Sequence, residues 1–541
     1  MLKSYSKMLK EEFANYSAKL FLKDVVSGIT VAAVALPLAL AFGVASGADA
    51  AAGLITAIFA GIICGILGGA KFQISGPTGA MTAVLVTIVA QFGMQGVFVA
   101  SLIAGAIVLL MGVCKLGKLI QFIPRPVVTG FTSGIAIIIF LGQIDNFFGT
   151  RSEGLNIFEK FASYGRLGFA PQWQAVLIAV IVIAFMFLFP KKWNAKVPAS
   201  LLAIVLATVI SYFCKFEIAT IGEIPRTLVH STRLDFSTFD FATIGQLISP
   251  AFTIAALGMI ESLLCGTSAL TMQKGAKFHP NQELVAQGVC NIFLPFVGGV
   301  PSTAAIARTS VAIKSGCATR VTGLVQAVAL IIIMFALSPI MSKVPLAALA
   351  GVLMVTAIRM NEWHQIKYFV HNKLWGAVSK FAITLVATVV FDLTVAIAIG
   401  VIYSLFLMAI RMSKLEIETS PLSKTVDEND IDNDKTVLVY TTGAMFFANA
   451  SIFRNKITTL HGDFDKLVFV MRGVNYLDVS AAQTILELFK DEQELGKQIC
   501  LTGTRDNVKK LMDKVGITAL IGEQNFFESV DKVLLVNESN K

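Results

Sequence analysis

The chain has 541 residues, of which 55% are hydrophobic and only 15% charged, with a formal net charge of +9. A soluble protein of this size would leave too much apolar surface in water, which excludes a soluble enzyme or binding module. The positive charge does not argue for a nucleic-acid partner, because the basic residues form short clusters between apolar runs, as the positive-inside pattern of membrane proteins requires.

A hydrocarbon core about 30 Å thick takes about 20 apolar residues per crossing. In chain order, the apolar runs predict helices over 24–46, 51–67, 78–91, 97–114, 125–147, 173–190 and 197–214. A second set follows over 246–272, 282–297, 302–314, 321–342, 346–358, 377–391 and 393–411. The first run has no small-residue cleavage site after it and reads as a retained helix. With the N-terminus cytoplasmic, Lys115, Lys118 and Arg125, then Lys191, Lys192 and Lys196, then Lys274 and Lys277, then Arg359, Lys367 and Lys373, all fall in cytoplasmic loops. Asp145 and Asp392 fall near outer ends.

Two sets of seven crossings have opposite orientations, the inverted-repeat plan of many secondary transporters. The expected organisation is a cytoplasmic segment (1–23), a first repeat (24–214), an extracytoplasmic loop (215–245), a second repeat (246–412), a linker (413–435) and a soluble domain (436–541). Pro37 is expected to kink the first helix, and Gly61, Gly65 and Gly69 read as a helix-packing ladder. Lys3, Lys7, Lys10, Lys19 and Lys23 could pack against the soluble tail or lie on anionic lipid.

The third element of each set is too short to cross: 78–91 would span about 21 Å at 1.5 Å per residue, and 302–314 is no longer. Each follows a Gly-Gly pair and a proline, Gly68-Gly69 with Pro77 and Gly298-Gly299 with Pro301. Proline suits the first turn of a helix, so SGPT and GGVPST read as extended segments that start half-helices inside the membrane. Their N-termini carry unpaired N–H groups and partial positive charge, which together make a site for an anion. The alternative is a pair of kinks in ordinary helices.

Around the first start, Ser75 and Thr78 offer hydroxyls, while Gly76 and Gly79 admit a ligand close to the backbone. Around the second, Ser302 and Thr303 do the same, and Ala304, Ala305 and Ala307 leave room. Arg308, in an apolar context, either sets the positive potential of the site or pairs with Glu261 or with carbonyls. Glu261 is the lone acid of its run and falls mid-span, where a carboxylate can carry a proton; Cys265 lies one turn further along the same face. Proton and anion entering together is the coupling this suggests. Seven scattered cysteines make no CxxC pair, and no Walker A loop, catalytic triad or metal-ligand cluster is present, so no cofactor and no metal are expected.

In the tail, KTVLVYTTG, KLVFVMRG and KQICLTG read as strands, and Asn449 to His461, Ser480 to Leu495 and Asp506 to Val515 as helices. Asp478 and Ser480 stand at a strand-to-helix turn, where N-capping is the first reading and a regulatory phosphosite at Ser480 the second.

FQISGPTGAM, the mid-span IESLLC, the run NQELVAQGVCNIFLPFVGGVPSTAAIART and the α/β tail together resemble the SulP anion transporters with a C-terminal STAS domain. The resemblance covers nearly the whole chain. It implies a 7+7 fold with core and gate domains, a homodimer in a bacterial inner membrane, and an anion held between the third and tenth helices. It also implies sulfate, bicarbonate, chloride or dicarboxylate as substrate. By position, Thr78, Ala304, Ala305 and Ile306 would line that site, with Arg308 nearby. Where sodium-coupled bicarbonate members have Asp and Thr, this chain has Glu261 and Cys265, and a thiol is a poor sodium ligand. Leu38 replaces a glutamine found in many eukaryotic members, so contacts attributed to that residue do not transfer. Ser480 matches the serine phosphorylated in anti-sigma antagonists, with Ala481 in place of the usual glycine. The expected partners are thus a small inorganic anion or carboxylate with a proton, the bilayer, and a cytoplasmic protein at the STAS domain.

The primary expectation is a proton-coupled anion symporter. An uncoupled exchanger or channel of the same fold is the alternative. A nucleobase symporter shares the architecture but needs a second acid that Asn291 to Lys314 lacks, and a membrane sensor signalling through the STAS domain would bind a ligand without flux.

Overall fold

A computed structural model of the chain describes residues 2–118, 123–154, 157–190, 198–224, 226–235, 237, 243–273, 277–391, 393–421, 435–460 and 464–533. Lys191, Lys192, Lys196, Lys274, Asp392 and most of the expected linker lie outside them. Two units form, Met1–Ile402 and Tyr403–Lys541.

Among the described residues of the whole chain, eight helices are long and apolar enough to cross a membrane: Ala18–Ala45, Ala50–Leu67, Gly79–Val113, Arg125–Phe148, Ile244–Leu270, Val321–Met341, Leu346–His371 and Val395–Met412. Trp173–Leu188, Ala199–Phe213 and Trp375–Val390 are shorter apolar helices. Pro37 lies within Ala18–Ala45 without dividing it. The helices expected over 78–91 and 97–114 are the two parts of Gly79–Val113, which meet at the non-helical Gly93 (φ 65°, ψ −171°). A side chain at Gly93 would meet open space, so it is the left-handed φ that calls for glycine there.

Small residues bring the helices of this unit together. Gly61 and Gly65 lie against Gly323, Leu324 and Ala327, so the glycine ladder packs Ala50–Leu67 on Val321–Met341. Gly105 and Gly112 meet the backbone of Asn291, Ile292 and Val285, which joins Gly79–Val113 to the helix Pro280–Val297 at backbone contact. On the other side, Gly130 and Gly134 of Arg125–Gly142 face Phe381, Thr384 and Thr388 of Trp375–Val390. The N-terminal helix Leu2–Phe13 is anchored to this unit: Glu12 accepts from the amide, Nε and Nη2 of Arg320, with both side chains 5% exposed.

The second unit is a five-stranded sheet in the order β3 (Glu416–Pro421), β4 (Thr436–Met445), β5 (Lys466–Leu477), β6 (Gln498–Thr502), β7 (Phe526–Phe527). β3 pairs antiparallel with β4 and the remaining pairs are parallel. Near-continuous apolar runs such as LVFV suit strands buried on both faces, and Phe453, Phe469, Leu488 and Phe489 fill the core. β3 falls in the stretch 413–435 that the sequence reads as linker. Its polar residues follow an exposed and half-buried alternation at a sheet edge, which carries too little hydrophobic signal to read as a strand. Asp478 caps Val479–Glu494, accepting from the Ala481 amide at 2.7 Å, while Ser480 is exposed in the first turn.

Candidate functional site

The two Gly/Pro segments meet inside the helical unit. β1 (Ser75–Gly76) pairs antiparallel with β2 (Thr303–Ala304), Ser75 opposite Ala304 and Gly76 opposite Thr303, and the Ala305 amide donates to the Ile74 carbonyl at 2.9 Å. The helices Gly79–Val113 and Ile306–Lys314 start just after these two antiparallel strands. Their N-caps, Thr78 and Ala305, are extended and neither gives its helix a side-chain cap, so the first-turn N–H groups are left without side-chain acceptors. The second helix has nine residues and starts four later than the expected 302, because Thr303 and Ala304 are drawn into the strand pair.

The helix Ile244–Met272 grips both sides of the crossing. Thr78 Oγ1 donates to Glu261 Oε2 at 2.8 Å. Ser262 Oγ lies 3.0 Å from Thr303 Oγ1 and accepts from the Ala304 amide at 3.2 Å. Cys265 Sγ donates to Thr309 Oγ1 at 3.3 Å, and that hydroxyl oxygen also accepts from the Ile74 amide at 3.1 Å. Glu261 is half-buried, Ala305 likewise, and Ile306 is 42% exposed. The carboxylate is therefore held by Thr78 without being sealed off.

Ser75 and Arg308 lie on the supporting side. Gln287 Nε2 donates to Ser75 Oγ at 2.7 Å and to Glu283 Oε1 at 2.9 Å, while Glu283 Oε2 accepts from the Gly69 amide at 2.9 Å. Arg308 is 1% exposed, donates from Nη2 to the Pro77 carbonyl, and has no partner for Nε or Nη1 among the described residues. A Cβ at Gly76 would collide with this guanidinium, so glycine there admits the cation against the strand. Gly79 is equally confined, by Ile139 and Phe42.

Several of these groups escaped the sequence reading. Glu283, Gln287 and Asn291 recur every four residues, one polar face on an apolar helix, and that spacing could have marked them. Asn291 gives its amide to the Ser302 carbonyl at 3.0 Å and accepts from the Ser302 amide at 2.7 Å. Ser262, Thr309 and Gln73, whose Nε2 donates to the Ser262 carbonyl at 2.7 Å, carry no local signal. Ser480 belongs to the other unit.

Half-helices that start at a polar crossing within an apolar bundle, with a carboxylate at one start, define an integral membrane transporter. The sulfate permease family model matches residues 21–389 and the STAS domain model residues 429–533. The chain belongs to the sulfate permease family, and the relatives it matches are named as transporters. It is 35% identical to YvdB of Bacillus subtilis, named for sulfate transport, over 96% of this chain and 98% of that one. It is 30% identical to the bicarbonate transporter BicA of Picosynechococcus, over 91% and 90%. Among solved structures, the transmembrane domain of a cyanobacterial BicA superposes with a TM-score of 0.65 at 28% identity, covering 72% of this chain and 98% of that one. Murine solute carrier 26 family member A9, in its inward-facing state, gives a TM-score of 0.84 at 18% identity, covering 97% and 93%.

Proposed function

We propose that the protein is a proton-coupled symporter of a small oxyanion of the sulfate or bicarbonate class, working by alternating access as a 7+7 inverted repeat. The observation that carries this reading is the 2.8 Å hydrogen bond from Thr78 to Glu261, which ties a titratable carboxylate to the N-cap of a half-helix. The uncapped N–H groups of Gly79–Val113 and Ile306–Lys314 attract an anion, while an ionised Glu261 repels it. A proton on Glu261 removes that repulsion and adds an O–H donor, so anion and proton favour each other's binding. Thr78, Gly79, Ala305 and Ile306 line the anion site in this reading; Arg308 adds positive potential from behind Gly76. Cys265, occupied with Thr309 and a poor ligand for sodium, favours a proton as the coupling ion. The substrate class follows the names of the relatives YvdB and BicA. The N-terminus and STAS domain are cytoplasmic in a bacterial inner membrane, the transporter is a homodimer, and Ser480 offers the STAS domain a regulatory site.

The test is uptake of labelled sulfate, bicarbonate, succinate and fumarate into proteoliposomes under an inward proton gradient, with wild type beside Glu261→Gln. Accumulation of one anion in wild type, with loss of gradient dependence in the variant, supports the mechanism. A variant that accumulates the same anion with unchanged pH dependence makes Glu261 a structural residue and refutes proton coupling through it.

A further inference from the structure

A cavity of about 440 Å³ opens beside the first half-helix, and Thr82, Thr87, Thr253, Gln143 and Lys160 are among the residues on its wall. Phe42 and Ile139 also line it, and these are the two side chains that confine Gly79. The cavity is thus separated from the start of the half-helix by one apolar layer. Among the described residues its lining contains a single charged one, Lys160, and no Asp or Glu.

The position of Lys160 is built rather than incidental. It belongs to the amphipathic helix Ile157–Leu167, which is pinned one turn further on. Ser163 Oγ accepts from the Glu153 amide at 3.0 Å, and the Tyr164 hydroxyl donates to Asp145 Oδ1 at 2.8 Å. The Tyr164 ring packs edge-on against Phe169, which packs in turn on Phe148. Asp145, the acid of this network, also takes hydroxyl donors from Ser152 and Thr150 at 2.5 and 3.4 Å, and it does not line the cavity. Lys160 is half-buried and has no ion-pair partner among the described residues.

A lone ammonium on a cavity with no Asp or Glu among its described lining residues concentrates anions by focusing its field through low-dielectric walls. The hydroxyls of Thr82, Thr87 and Thr253 donate within their helices, to the carbonyls of Thr78, Val84 and Ser249, so the charge that draws an oxyanion here is that of Lys160. We propose that this vestibule is an anion-recruitment site, in which Lys160 captures the small oxyanion before it passes the Phe42–Ile139 layer to the half-helix starts. The proposal rests on the reading that the transported species is an anion, and it assigns Lys160 to the rate of entry, not to proton coupling.

Two measurements test it. In proteoliposome uptake, Lys160→Ala is expected to raise KM about 3- to 10-fold with a smaller change in kcat, Lys160→Glu to raise it further, and Lys160→Arg to restore it; the salt dependence of kcat/KM should flatten in Lys160→Ala. Equal KM and equal salt dependence in wild type, Lys160→Ala and Lys160→Glu overturn the proposal. The second measurement needs no transport. In a Thr87→Cys chain with the exposed Cys114 and Cys214 replaced by serine, the modification rate by an anionic methanethiosulfonate is divided by that of a neutral one. Lys160→Ala is expected to lower this ratio about 3-fold or more, and an unchanged ratio refutes an anion-attracting vestibule. If wild type carries none of the anions offered, the symport reading fails, and the labelling ratio alone decides the recruitment site.

Discussion

Thr78 does two things at one position: it is the extended N-cap of a half-helix and donates to a carboxylate 183 residues away in sequence. A hydrogen bond to a charged acceptor contributes about 1.5–3 kcal/mol, equivalent to about 10- to 100-fold in a rate or binding constant. Thr78→Val should therefore lower kcat/KM for anion uptake by about that factor, and Thr78→Ser, which keeps the donor, should recover most of it; initial-rate uptake at several pH values checks both. A second pair lies outside the membrane-spanning helices. His230 Nε2 is 2.8 Å from Asp49 Oδ2, and its Nδ1 lies 3.1 Å from the Thr232 carbonyl, to which the protonated ring donates. The bond to Asp49 holds the His230 imidazole above its ordinary value, against the effect of burial. Burial pushes Asp49 up, but its bonds to His230 and to the Ala52 amide outweigh this and leave it below the usual carboxylate range. The raised histidine contributes stability that is complete below its unfolded value of about 6.5 and is lost as pH rises through its folded value. The lowered aspartate contributes stability that is lost only in acid. Between pH 6 and 8.5 the melting temperature of wild type should fall more than that of Asp49→Asn, read by thermal unfolding of the purified protein. Equal slopes would show that the pair does not titrate as described.

At the scale of elements, the crossing of β1 and β2 is two residues long on each side and cannot hold itself. It is stabilised from the helices: Asn291 pairs both backbone groups of Ser302, Thr56 Oγ1 accepts from the Val300 amide and donates to its carbonyl, and Thr309 accepts from Ile74. Each buried backbone group left without a partner costs about 1–3 kcal/mol. Asn291→Ala orphans two, and a loss of about 2–6 kcal/mol should appear as lower yield and a lower melting temperature. Asn291→Asp retains the acceptor for the Ser302 amide and should be milder. A melting temperature for Asn291→Ala equal to wild type would mean the crossing does not depend on this bond.

In the helical unit as a whole, the N-terminal helix is part of the packed structure. Tyr5 donates to the Ile66 carbonyl, and Arg320 reaches both Glu12 and the carbonyls of Ile66 and Gly68. Removing one partner of a buried ion pair costs about 3–5 kcal/mol because the other charge is left unpaired. Glu12→Ala should lower the melting temperature markedly, and adding Arg320→Met should recover part of the loss; an additive double variant would refute the coupling. The exposed pair of Glu11 with Lys277 contributes little.

The apolar runs, the Gly-Gly and proline punctuation, the mid-chain Glu261 and the α/β tail were all legible in the residues, because hydrophobic length, backbone freedom and local capping act within about 20 positions. Those same rules could not show that residues 303 and 304 are strand or that 416–421 join the soluble sheet. Nor could they turn Arg308 toward Gly76 and Pro77 or bring Ser262, Gln287 and Asn291 to the crossing. Each of these depends on a partner far away in sequence. A buried polar group must be paired somewhere, but which group pairs it is settled when the helices pack.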